Sequence, residues 1–259
     1  MKIPFFQIDA FTEQRFSGNP AGVCLLRQEL EDSVLQQIAA ENFLPETAFL
    51  LKKGESYQIR WFTPTVEIDL CGHATLAAAH ALFTHTAYRS DKIEFSSTSG
   101  LLSVRREDGI IYLDFPSRPP EACRPEPDLK KILGARPVEV YRSRDLLVVF
   151  SDEREIRQLE PDMDAIRRLD CLGVIVSAPG TAVDFVSRFF APAVGIPEDP
   201  VTGSTHTTLI PYWSQRLGKK ELSARQLSQR GGRLLCRDKG NRVEIGGSAL
   251  TYLQGTIEV

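Results

Sequence analysis

Two stretches of the chain repeat one another at an offset of 128 residues: "FTPTVEI" at 62–68 and "FAPAVGI" at 190–196 share Phe, Pro, Val and Ile. With three residues inserted, "CGHATL" next aligns with "TGSTHT", pairing Gly72 with Gly203. "GLLSVRREDGIIYLDF" and "GRLLCRDKGNRVEIGG" then align Gly100 with Gly232. Three ordered matches at nearly one offset, close to half of 259 residues, identify an internal duplication whose period is too long for a solenoid. The chain is therefore expected to build two similar lobes, with corresponding loops facing one cleft, a common location for a ligand site.

Short runs rich in Ile, Val, Phe and Leu at 3–9, 21–26, 46–51 and 57–63 are separated by turn formers such as Ser17-Gly18-Asn19-Pro20 and Lys53-Gly54-Glu55-Ser56, and predict strands. "EDSVLQQIAAENF" predicts a helix behind Asp32 and Ser33, with Leu35, Ile38, Ala39 and Phe43 on one face. Residues 101–106 and 110–115 predict a hairpin around Glu107-Asp108-Gly109, and residues 116–127 form a proline-rich linker. Beyond it the pattern recurs: a helix from Asp128 to Gly134, strands near 137–142, 145–151, 173–178 and 183–191, a second helix and another hairpin. The expected lobes are 1–117, joined by a terminal strand at 250–259, and 118–249.

Lys and Arg number 31 against 34 Asp and Glu, without a long basic run, which argues against a nucleic-acid partner. The N-terminus reads as a strand rather than an apolar leader, and no run approaches the roughly 18 apolar residues of a membrane span. A cytoplasmic location is expected. Cys24, Cys71, Cys123, Cys171 and Cys236 are odd in number and scattered, which suits reduced thiols.

Each half places a strand-like F-x-P-x-V-x-I segment before a glycine and a helix. "ATLAAAHALF" is apolar nearly all round, so its helix must be enclosed on all sides, as by a sheet wrapped around it. Helix starts at Gly72-His73 and Gly203-Ser204 would leave backbone N–H groups without intrahelical partners and favour negative charge, making each a candidate carboxylate cradle. At the second, Ser204 or Thr205 can equally be a plain N-cap, and Pro211 would remove one helical hydrogen bond. Cys71 and His73 give a metal only two ligands, and no carboxylate completes H-E-x-x-H, so no metal site is expected. Cys71 is either a thiolate at a helix start or an inert buried thiol. Glu46 in "ENFLPETAFLL" is a general-base candidate or a surface turn residue, and Asp199 in "GIPEDPVTGS" orients a substrate cation or makes an Asx-turn.

"FSGNPAGV" (16–23), "ENFLPETAF" (41–49), "RWFTPTVEIDLCGHATLAAAH" (60–80), "FFAPAVGIPEDPVTGSTHTTLIPYW" (189–213) and "LSARQLSQRGGRL" (222–234) together resemble the phenazine-biosynthesis PhzF-like family. The resemblance implies the diaminopimelate-epimerase-like α+β fold: two pseudo-symmetric lobes, each a β-barrel-like mixed sheet around a central helix. It also implies a homodimer and an active site needing no cofactor or metal. In that family a glutamate shifts a proton on an amino-hydroxy-cyclohexadiene carboxylate, a role that falls here on Glu46. His73, Asp199 and Ser204 would hold substrate groups, with Gly72 and Gly203 facing its carboxylate; Asn19 and Cys71 are further candidates.

Related cofactor-independent racemases place a catalytic cysteine where this chain has Cys71, but need a second thiol across the cleft, and Asp-Pro-Val-Thr-Gly-Ser-Thr around Gly203 has none. The expected function is an isomerase moving a proton on a small amino-acid-like or cyclic carboxylate. The alternatives are a racemase or epimerase using Cys71 opposite Glu46 or Asp199, and a non-catalytic small-molecule binding protein.

Overall fold

The computed structural model describes residues 1–124 and 128–259, so Pro125–Pro127 of the proline-rich linker lie outside the described residues. The chain divides into two compact units, Met1–Asp114 with Gly246–Val259, and Phe115–Ile245. Among the described residues no helix is long and apolar enough to cross a membrane.

The first unit runs β1 (Lys2–Ala10), β2 (Asn19–Leu26), α1 (Asp32–Asn42), β3 (Glu46–Lys53), β4 (Ser56–Phe62), β5 (Glu67–Ile68), α2 (Gly72–His85), β6 (Lys92–Ser97), β7 (Gly100–Glu107) and β8 (Ile110–Pro116). The second runs β9 (Glu121–Ala122), α3 (Leu129–Leu133), β10 (Glu139–Arg142), β11 (Leu146–Val149), α4 (Glu153–Gln158), α5 (Met163–Arg167), β12 (Val174–Pro179), β13 (Phe185–Phe190), α6 (His206–Leu217), β14 (Glu221–Gln226), β15 (Gly232–Asp238) and β16 (Arg242–Gly247). The last strand, β17 (Ala249–Glu258), returns to pair antiparallel with β1.

The duplication predicted from the sequence is written in the strand pairings. In the first unit β1–β2 is antiparallel, β2–β3 parallel, β3–β4 antiparallel, β4–β6 parallel and β6–β7 antiparallel, and the β7–β8 hairpin follows. In the second, β10–β11 is antiparallel, β11–β12 parallel, β12–β13 antiparallel, β13–β14 parallel and β14–β15 antiparallel, and the β15–β16 pair follows. Parallel neighbours need a crossover, and helices supply it at the same places: α1 and α2 in one unit, α4–α5 and α6 in the other. Side chains repeat as well. Arg60 makes a two-pronged ion pair with Glu67 and lies 5.1 Å over the Phe62 ring. Arg188, at the matching position, does the same with Glu198, 4.9 Å over Phe190. Two Arg–carboxylate forks in the same place brace the same turn.

α2 is enclosed as its composition requires: Gly72 through Ala79, Ala81 and Leu82 are buried, and the helix packs on β1, β2, β3 and β17. α6 is the corresponding helix and packs on β14 and β15. Pro211 sits inside it. The acceptor that Pro211 cannot serve, the Thr207 carbonyl, instead accepts the Arg118 backbone N–H at 2.9 Å, so the interrupted ladder leaves no orphan there.

Three expectations need correction. Phe43 does not join Leu35, Ile38 and Ala39 in the core: it ends α1 in the left-handed region (φ 50) and is 83 % exposed. The left-handed residue reverses the chain and carries the side chain off the apolar stripe. The F-x-P-x-V-x-I segments are not strands throughout. Phe62 and Phe190 close strands, and the following residues turn back, pairing Trp61 with Ile68 and bridging Ala191 to Ile196. The second glycine junction does not start its helix at Gly203-Ser204. Residues 203–208 wind through i→i+3 bonds, His206 N–H to Gly203 O, Thr207 N–H to Ser204 O and Thr208 N–H to Thr205 O, and α6 begins at His206. Threonine hydroxyls that bond nearby carbonyls hold this tighter turn.

Candidate active site

Glu46, Cys71, His73 and Asn19, four residues scattered over 55 positions of sequence, meet in the first unit. Asn19 opens β2, Glu46 opens β3, Cys71 is the N-cap of α2 and His73 lies in its first turn. The parallel β2–β3 register pairs Ala21 with Glu46, which sets the two strand starts side by side. Gly18 delivers the chain into β2 at φ +70, where a Cβ would stand 2.2 Å from the Ala10 carbonyl oxygen, so no other residue fits the turn that positions Asn19.

The His73 ring is the hub. Its Nε2 lies 2.9 Å from Glu46 Oε2, and its Nδ1 lies 3.1 Å from Asn19 Nδ2 and 3.5 Å from Cys71 Sγ. All four residues are buried, Asn19 completely and the other three between 5 % and 7 % exposed. Burial opposes a charge on the ring, but the acidic groups of Cys71 and Glu46 outweigh it and hold the His73 pKa well above that of an ordinary histidine. Burial, then the Glu46 carboxylate, raises the Cys71 thiol, with His73 pulling the other way. At this helix start burial is the largest influence on Cys71, and it works against the thiolate. His80 does not share this site. Its Nε2 is 3.1 Å from Thr251 Oγ1, where His85 also converges at 2.7 Å.

Asp199, Gly203 and Ser204 lie together in the second unit, in the turn that leads to α6. Asp199 Oδ2 accepts from the Thr202 hydroxyl, and the Thr207 hydroxyl donates to Ser204 O at 2.7 Å. Gln226, buried at the end of β14, clamps the turn: its Nε2 donates to Asp199 O at 2.8 Å, and its Oε1 accepts Thr202 N–H at 2.9 Å. Gln226 escaped the sequence reading because a lone glutamine in a strand carries no signal of a long-range clamp.

His206 escaped it too. Its ring is fully buried, Nδ1–H donates to Thr202 O at 2.8 Å, and Nε2 has no hydrogen-bond partner among the described residues. Burial brings its pKa down to about 4, against the smaller opposing effect of the Thr202 bond. A folded-state value below the ordinary 6.5 means that the stability due to the neutral ring is complete above pH 6.5 and lost as pH falls toward 4. His206→Asn keeps a donor near Nδ1 and does not titrate. Denaturant unfolding at pH 7.5 and at pH 4 is expected to show a smaller acid loss in the variant than in the parent, by up to about 3 kcal/mol. Equal losses would refute a neutral buried His206.

Two units with one strand order, each with a mixed sheet packed on a helix, define a duplicated α+β fold. The fold of a hydroxyproline epimerase from Agrobacterium vitis matches with a TM-score of 0.62 at 10% identity over 99% of this chain and 92% of that one, a likeness of fold alone. Within this class the profile of the phenazine biosynthesis-like proteins matches residues 8–255, and the chain belongs to that family. It is 51% identical, over the full length of both chains, to an uncharacterized isomerase of Pseudomonas aeruginosa. It superposes on the crystal structure of a PhzF-family phenazine biosynthesis protein from Enterococcus faecalis with a TM-score of 0.98 and 48% identity over all of both chains.

Proposed function

We propose that the protein is an isomerase that moves a proton within a small carboxylate substrate, amino-acid-like or cyclic, with Glu46 as the acid/base. The observation that carries this reading is the buried Glu46–His73 pair, 2.9 Å apart at the start of α2. A 1,3-shift needs one group that removes a proton and returns it nearby, and a single carboxylate does both. The His73 ring, 2.9 Å from the Glu46 carboxylate, stabilises charge beside it while the proton is in transit. The chemistry asks for no group beyond these side chains. Membership of the family and the isomerase name of the Pseudomonas aeruginosa relative support the reaction class.

Asp199, Gly203 and Ser204 are assigned a binding role, and Ser204→Ala and Asp199→Asn are to be read through KM rather than kcat. The protein is expected to work as a homodimer in the cytoplasm.

A thermal-shift screen over amino acids, hydroxy acids and cyclic diene carboxylates finds ligands of the folded state, and each is then incubated with the protein in deuterated water. The expected result is a ligand that raises the melting temperature and gains solvent deuterium at one carbon. Ligands that bind and never exchange would leave a binding protein in place of an enzyme. Cys71→Ser separates this mechanism from a thiol-based racemase. Turnover within about threefold of the parent is expected, whereas a loss of about a hundredfold or more would make Cys71 the proton carrier.

A further inference from the structure

The sequence counts two metal ligands around Cys71, and the fold adds a third. Glu46 arrives from 25 positions upstream, and the carboxylate oxygen, the His73 ring nitrogen and Cys71 Sγ all lie within 4.8 Å of one another. Nε2 is 2.9 Å from Glu46 Oε2 and 4.0 Å from Sγ. Around a zinc-sized ion, bonds of about 2.0–2.3 Å set neighbouring ligand atoms about 3.3–3.8 Å apart. Cys71 Sγ lies nearer Nδ1, at 3.5 Å, so binding at Nε2 would require the His73 ring to swing toward the thiol as its contact with Glu46 opens. One thiolate, one imidazole and one carboxylate with a fourth position left to water form a donor set suited to a borderline or soft divalent cation, not to magnesium or calcium.

We propose that Glu46, Cys71 and His73 form a three-ligand binding site for a thiophilic divalent cation of the zinc or cadmium kind. Binding forms one bond each to Sγ, Nε2 and a Glu46 oxygen. The thiol proton and the Nε2 proton pass to buffer, so no electron transfer is involved. The occupied site has no free carboxylate, so the cation is an inhibitor of the proton transfer proposed above. That consequence rests on the proposed function, but the binding does not.

The probe is cadmium chloride titrated into the intact, reduced protein, read by the ultraviolet sulfur-to-cadmium charge-transfer band and by calorimetry. One equivalent is expected to bind with the band, and Cys71→Ala and Cys71→Ser should both abolish it. Glu46→Gln and His73→Asn should each weaken affinity tenfold or more. Cys123 and Cys171 are only half-buried, so the double variant Cys123→Ser/Cys171→Ser is a control that should keep the site. Only variants that keep the parental melting temperature without cadmium are scored, and the two Cys71 replacements guard against one failing to fold. A band that survives loss of Cys71, a band that vanishes with Cys123 and Cys171, or full affinity after either the Glu46 or the His73 change would overturn the site. Each of these readings is independent of turnover. Inhibition by cadmium without the band would likewise refute it, whereas the band without any activity to inhibit would refute the isomerase reading and leave the cation site standing.

Discussion

Glu46→Gln is expected to lower turnover by at least about a thousandfold and to end solvent deuterium incorporation, while ligand binding in the thermal-shift assay persists. The amide keeps the size of the side chain and its place at the head of β3. It removes the only function that a carboxylate supplies here, accepting a proton and giving it back. Positioned acid/base groups contribute about a hundred- to ten-thousandfold, and a shift that uses one group for both steps loses both together. The same change removes the anion that faces His73 at 2.9 Å, and with it part of what holds the imidazole charged. The sign of the pH effect follows. Because the folded His73 pKa lies above the ordinary 6.5, the stability from its charged form is complete below pH 6.5 and lost as pH rises through the folded value. In Glu46→Gln that alkaline loss should shrink. A variant that retains full turnover, or still exchanges deuterium, would remove Glu46 from the mechanism.

Trp213→Ala is expected to produce the largest loss of stability, about 3–5 kcal/mol. The indole is 1 % exposed, stacks on Phe185 at 5.7 Å with 5° between the rings, and donates from Nε1 to Ser177 Oγ at 2.9 Å. Ser177 in turn donates to Val186 O at 2.7 Å. Truncation therefore opens a cavity beside α6 and removes the only donor given to a fully buried hydroxyl among the described residues. Trp213→Phe keeps most of the ring and loses the N–H, and should cost less, about 1–3 kcal/mol. Denaturant titration of the three proteins measures both, and a Trp213→Ala loss below about 1 kcal/mol would mean that the pocket collapses around the missing ring.

Much of this molecule is legible in its sequence, and the legible parts share a cause: they are local. Alternating apolar runs, Gly and Pro at turns, and the all-apolar stretch after Gly72 each encode a conformation within a few residues. The duplication is legible because two copies of such local signals recur in the same order. Asp108-Gly109 is a case in point: two adjacent positive φ angles, 51 and 80, close the β7–β8 hairpin where the sequence placed its turn. Local signals fail where a neighbour in space decides. Phe43 has the right helical spacing, but the chain reversal at the end of α1 exposes it. Gly203-Ser204 has the look of a helix start, yet Gln226 and the Thr205 hydroxyl hold the backbone of Thr202 before it, the Thr207 hydroxyl takes the Ser204 carbonyl, and α6 begins only at His206.

The sequence by itself determined that the chain is a doubled α+β protein with an enclosed apolar helix. It also marked Glu46, His73 and the two glycine junctions as the places to look for chemistry. Only the tertiary structure decided which carboxylate faces His73, that the conspicuous thiol of Cys71 is buried beside that pair, and that three ligand atoms converge there. These outcomes depend on the parallel pairing of β2 with β3 and on the packing of α2 against them. The charge state of a buried group is set by the dielectric and the charges within a few ångströms of it, and a linear sequence does not contain those distances.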